Sequence, residues 1–174
     1  MKIRLLLTLS LLLLPFLIYS QKDIFDVCRK GTVKDISVIY NENPNSINIR
    51  SEQDYLPLTL ACYHGNEEVV MFLVNKVDDI NGSSSYGTPL MAAVVKENLN
   101  IVKMLLSKEA DTNIADVNGT TALHYATIFN QVETVKLLLE AGARVDLKDN
   151  RGQTAKDYAA LKNNEQIITL LNNN

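Results

Sequence analysis

The sequence predicts an all-α fold, a solenoid of about five helix-turn-helix units joined by β-turn loops. Three observations in register carry that prediction. A six-residue phrase recurs as Thr88-Pro89-Leu90-Met91-Ala92-Ala93, Thr121-Ala122-Leu123-His124-Tyr125-Ala126 and Thr154-Ala155-Lys156-Asp157-Tyr158-Ala159, at intervals of 33 residues, with a weaker copy, Leu56-Pro57-Leu58-Thr59-Leu60-Ala61, 32 residues before Thr88. Each phrase is followed by a run of branched apolar residues, from Val69 to Val74, Ile101 to Leu106, Thr134 to Leu139 and Ile167 to Leu171. Turn-forming stretches recur with them, as Asp116-Val117-Asn118-Gly119 and Asp149-Asn150-Arg151-Gly152. Apolar residues at helical spacing, repeated this often, describe pairs of short helices that must stack to bury their apolar faces.

The elements follow in chain order. The first unit lacks the phrase, but Gly31 reads as a helix stop. Its first helix is expected from Asp23 to Lys30, with Ile24, Val27 and Cys28 inward. Its second is expected from Val33 to Asn41, anchored by Ile36, Ile39 and Tyr40. Residues 41–48, rich in Asn with Pro44, read as a loop. Pro57 and Pro89 open first helices, where a missing N–H is harmless. Thr88, Thr121 and Thr154 stand where a hydroxyl caps an orphan amide. Ala61, Ala93, Ala126 and Ala159 let neighbouring first helices approach closely. The last unit has Lys156 where the other phrases carry Leu, as suits a terminal cap with a polar outer side.

These motifs resemble the ankyrin repeat family, and the layout resembles its exported bacterial members. The resemblance covers residues 22 to 174. The family ends its first helix with Gly nine residues after the phrase begins; here those positions hold Gly65, Glu97, Asn130 and Asn163. Gly and Asn accept left-handed backbone. Glu97 does not accept it readily, so the turn there is expected to shift toward Asn98. Glu109-Ala110-Asp111 and Ala141-Gly142-Ala143 match the family's second-helix stop. The resemblance divides the array at about residues 22–53, 54–85, 86–118, 119–151 and 152–174.

The N-terminus reads as a secretory leader over residues 1–20, preceding a repeat domain over 21–174. Lys2 and Arg4 form a basic head, Leu5 to Leu14 an apolar core, and Ser20 a small residue at the junction. Export to the periplasm or the extracellular space is expected. An uncleaved membrane anchor is the alternative, although the apolar run falls short of the ~20 residues a spanning helix needs. The chain has 17 basic and 20 acidic residues, and cleavage would remove two of the basic ones. With no basic stripe, nucleic acid and anionic membranes are poor partners.

No catalytic set emerges. Cys62 and His64 are two positions apart on one helix and do not face each other. Cys28 and Cys62 occupy equivalent inward positions, and the family's repeat spacing of roughly 10 Å exceeds the ~7 Å limit for a disulfide. They read as buried thiols. A Cys-dependent enzyme is the remote alternative. The family's phrase histidine, here His124, bonds neighbouring turns. Glu67, Glu68 and Glu133 suit helix starts electrostatically. No metal-ligand spacing and no phosphate loop are present, so no metal and no cofactor is expected.

What remains is a binding surface. The resemblance implies a non-catalytic protein–protein interaction module, expected to be a monomer, whose partner meets the turn tips and the exposed ends of the first helices. Carried over by position, the turn candidates include Tyr55, Tyr86 and Asn118. The helix-end candidates include Arg29, Lys30, Tyr63, His64, Val95, Lys96, Ile128 and Phe129. The aromatic and aliphatic members suit a concave interaction patch. Val95 and Ile128 can equally pack between repeats, and Phe129 can shield a neighbouring loop.

Overall fold

A short helix forms where its first amides find a cap and its apolar residues find a neighbour, and both conditions recur along this chain. The computed structural model describes residues 23–84 and 87–174. The expected leader and the candidate Tyr86 lie outside the described residues.

Ten α-helices occur among the described residues, in five pairs. The first helices of the pairs are α1 (Ile24–Lys30), α3 (Pro57–His64), α5 (Pro89–Val95), α7 (Ala122–Ile128) and α9 (Ala155–Lys162). The second helices are α2 (Val33–Glu42), α4 (Glu67–Leu73), α6 (Leu99–Leu106), α8 (Val132–Glu140) and α10 (Glu165–Asn172). Two isolated antiparallel bridges, Ser84 with Gly87 and Ala115 with Thr121, mark the turns between units.

The phrase threonines act as caps. Thr88, Thr121 and Thr154 each accept the backbone N–H three residues on, and the side chain of that residue returns to the threonine amide. Thr32 makes the same reciprocal pair with Asp35 at the start of α2. Each second helix but α8 carries an N-cap side-chain bond: Asn66, Asn98 and Asn164 accept from Val69, Ile101 and Ile167.

The first helices stack in one row and the second helices in another. Ala61, Ala93, Ala126 and Ala159 are fully buried where successive first helices meet. Ile36, Leu73, Leu105, Leu138 and Leu171 fill the second row. Small side chains let the helices of the first row pack more closely than those of the second.

Two expectations are corrected. Glu97 itself holds left-handed backbone, φ 56°, in step with Gly65 at 70°, Asn130 at 62° and Asn163 at 52°. The turn does not shift, because Asn98 is needed as the cap of α6. Residues 41–48 are not wholly loop: Pro44–Asn48 forms a 3-10 turn. It buries Ile47 against the core, and Asn43 caps it by accepting from the Asn45 amide.

Asparagine, which the sequence shows only as a compositional bias, ties units together. Asn48 Oδ1 accepts the Asp78 amide at 3.0 Å, Asn81 Oδ1 the Asp111 amide at 2.8 Å, and Asn113 Oδ1 the Arg144 amide at 2.8 Å. Asn66 Nδ2 donates to the Gly31 carbonyl at 2.9 Å, and Gln131 Nε2 to the Val94 carbonyl at 2.8 Å. Each of these bonds crosses from one unit to the next and satisfies a backbone group at a helix end or turn.

Candidate functional site

Side chains from four successive units converge where the first helices end. Arg29 comes from α1, Tyr63 and His64 from α3, Val95 from α5 and Phe129 lies at the end of α7. The turns add Tyr55, Asp116 and Asn118. With Thr59, Leu60, Ala92 and Tyr125 they line a groove of about 580 Å³. Seven of the candidate positions thus share one concavity: Arg29, Tyr55, Tyr63, His64, Val95, Asn118 and Phe129. Lys96 stands at its edge, with Nζ 5.0 Å from the centre of the Tyr63 ring. Ile128 is half-buried and stands outside the lining.

The walls are aromatic and held in place. Phe129 stacks on Tyr125 with ring centres 6.2 Å apart and planes 9° from parallel. The Tyr125 hydroxyl donates to Asp116 Oδ2 at 2.6 Å, while Asp116 Oδ1 accepts the amides of Asn118 and Thr120 at 2.8 and 2.9 Å. Burial, and then the bond to Asp116, pushes the Tyr125 phenol up to about 12, so it remains a donor. The Tyr63 and His64 rings meet edge to face at 5.5 Å. Burial first, then the charges of Arg29 and Lys96, hold the His64 imidazolium below its ordinary pKa.

Tyr63 and Phe129 remain 45% and 42% exposed, a large area for aromatic rings fixed by their neighbours. Rings of this kind offer contact area at little entropic cost on binding. The groove can therefore enclose an apolar or aromatic side chain from a partner and surround it with polar groups.

Sequence reasoning did not single out Thr59, Asp116 or Tyr125. Thr59 is almost wholly buried, and its Oγ1 has no hydrogen-bond partner among the described residues. The reason is legible in the phrase. Thr59 occupies the position of Met91, His124 and Asp157, whose side chains return to a capping threonine. In its own unit the cap position is Leu56, which makes no side-chain bond, so the Thr59 hydroxyl has nothing to meet.

The other groups weighed for chemistry have structural roles. His124 is buried, with Nδ1 2.8 Å from Thr121 Oγ1 and Nε2 3.2 Å from the Gln153 carbonyl. A carbonyl only accepts, so the proton sits on Nε2. Cys28 and Cys62 are buried free thiols. Burial pushes Cys28 up to about 12 and raises Cys62 as well, which keeps both protonated and weakly nucleophilic. Glu67 and Glu68 lie in the first turn of α4 and Glu133 in that of α8. Among the described residues no group of three or more His, Cys, Asp or Glu side chains is placed to hold a metal ion, and no helix is long and apolar enough to cross a membrane.

The same repeats are found in known proteins. The family model for ankyrin repeats (3 copies) matches residues 24–116 and 109–174. Ankyrin repeat and SAM domain-containing protein 6 of Rattus norvegicus is 36% identical over 110 residues, covering 62% of this chain and 12% of that protein. BCL-6 corepressor-like protein 1 of Homo sapiens is 33% identical over 97 residues, 54% of this chain and 5% of that protein. Ankyrin repeat and KH domain-containing protein 1 of Homo sapiens is 43% identical over 68 residues, 39% of this chain and 3% of that protein. The chain thus matches a small part of each of these much longer relatives, and what it shares with them is the repeat array. With its helix pairs, caps and turns in step with that pattern, this chain belongs to the ankyrin repeat family.

Proposed function

We propose that this protein is a non-catalytic interaction module, exported to the periplasm or the extracellular space, that holds a protein partner in the groove and along the adjoining turn tips. Ankyrin arrays are protein–protein interaction modules, which supports the first half of the reading. The observation that carries it is the groove itself: two half-exposed aromatic rings, Tyr63 and Phe129, face one concavity of about 580 Å³. Large exposed apolar surface in a concave setting favours association. The test is affinity capture from the matching envelope fraction with the mature domain, beside the Tyr63→Ala/Phe129→Ala double variant. A protein enriched by the parent and lost with the variant supports the reading; equal recovery by both contradicts it.

Export rests on the leader-like residues 1–20. The same residues support a second reading, a membrane-tethered scaffold that keeps its apolar segment. Mass spectrometry of the native N-terminus separates the two. A species beginning at Gln21 indicates cleavage, and one beginning at Met1 indicates the tether. We propose further that the module acts as a monomer, and light scattering on the mature domain tests that.

A further inference from the structure

The positive charges of the concave face gather at one end. Arg29 lies in the last turn of α1 and Lys96 at the C-terminal end of α5, with the exposed Lys30 alongside Arg29, and the charges of Arg29 and Lys96 both disfavour a charged His64 beside them. Arg29 and His64 line the groove, and Lys96 sits over Tyr63. This end is basic in a chain whose formal net charge is −3. The carboxylates nearby offset part of this charge. Asp26 forms an exposed ion pair with Arg29 at 2.9 Å through one guanidinium N–H, and the other four remain available to a second carboxylate. Asp116, farther along the groove, spends its oxygens on the Tyr125 hydroxyl and two backbone amides. Glu97, next to Lys96, is exposed to solvent.

We infer, resting on the groove as the partner site, that its occupant is an acidic segment of a protein. One or more carboxylates meet Arg29 and Lys96, and an apolar or aromatic side chain lies between Tyr63, Val95 and Phe129. Complementary charge sets the choice of partner and its register, while the apolar side chain supplies contact area.

The probe is a displayed library of short random peptides, selected against three proteins: the full chain, the charge-reversed Arg29→Glu/Lys96→Glu variant and the Tyr63→Ala/Phe129→Ala variant. The milder Arg29→Gln/Lys96→Gln variant accompanies them, and circular dichroism confirms that each is folded. Peptides recovered on the parent are expected to be enriched in Asp and Glu beside an aromatic or aliphatic residue. Their affinity is expected to fall about tenfold or more on charge reversal, and to be lost when the two rings are removed. The reversed variant is expected to select Lys- and Arg-rich peptides instead. Ring-dependent peptides with no acidic enrichment overturn the charge assignment and leave the groove reading standing. If no recovered peptide depends on Tyr63 and Phe129, both are overturned.

Discussion

Glu97 and Glu109 hold left-handed backbone, with φ of 56° and 59°, where equivalent turns elsewhere in the chain carry Gly65 and Gly142. An L side chain in that region costs about 1–2 kcal/mol, which Gly avoids. Glu109→Gly is therefore expected to raise stability by about 1 kcal/mol, read as a higher urea midpoint at unchanged slope. An unchanged or lower midpoint contradicts that account. The Glu97 stop was the least legible feature of the second-helix approach, because the residue type argues against the conformation. What fixes it is its neighbour: Asn98 must cap α6, and the amides of Glu97 and Asn98 must reach the Val94 and Ala93 carbonyls at 2.9 and 3.0 Å. Backbone satisfaction outweighs the preference of a single side chain. Two carboxylates give the molecule an acid limit. Tyr158 donates to Asp149, and the backbone and hydroxyl of Thr154 donate to Asp157, so both carboxyls titrate below the usual range. A carboxyl depressed on folding stabilises fully above its unfolded pKa of about 3.9, and that stabilisation is lost as pH falls through the folded value. The urea midpoint is expected to be level from neutral pH to about 5 and to fall below about 4. Asp149→Asn/Asp157→Asn should flatten that limb; a midpoint that rises on acidification contradicts the assignment.

The helix pair is the element, and its two ends are fixed differently. The start is set by the phrase: Thr121 accepts the His124 amide, and His124 returns to Thr121 while reaching the next unit at Gln153. Thr121→Ala is expected to cost about 0.5–2 kcal/mol from the cap alone. The packing between pairs depends on the small residue five positions on. Ala126 is fully buried between first helices, so Ala126→Leu is expected to cost about 1–3 kcal/mol by overpacking. Thermal unfolding checks both, and a neutral Ala126→Leu would argue against close first-helix contact. Capping threonines, prolines at helix starts and inward alanines were all legible, because each is a residue type with one local reason to be there. The 3-10 turn over Pro44–Asn48 was not, since Asn and Pro signal a turn without saying that Ile47 is drawn into the core. The asparagine ties between units were hidden for a related reason. Asn48, Asn81 and Asn113 show their partners only once neighbouring turns are stacked.

At the scale of the molecule, the ends of the first helices and the turns beside them form one groove, and that groove collects the residues available for binding. Tyr63, His64, Val95 and Phe129 were readable as candidates because they stand at the ends of first helices in the repeat register. Thr59, Asp116 and Tyr125 were not, since their part in the groove depends on which bonds the neighbouring turns leave open or close. Met71, on the second helix α4, is exposed and stands outside the groove lining. The most direct measurement of the central claim is site-specific photo-crosslinking in the native cell, with a benzophenone side chain placed at Phe129 or, for comparison, at Met71. The account predicts a discrete protein adduct from position 129 and none from position 71. Adducts of equal yield from both positions, or none from 129 in cells that contain the protein, would contradict it.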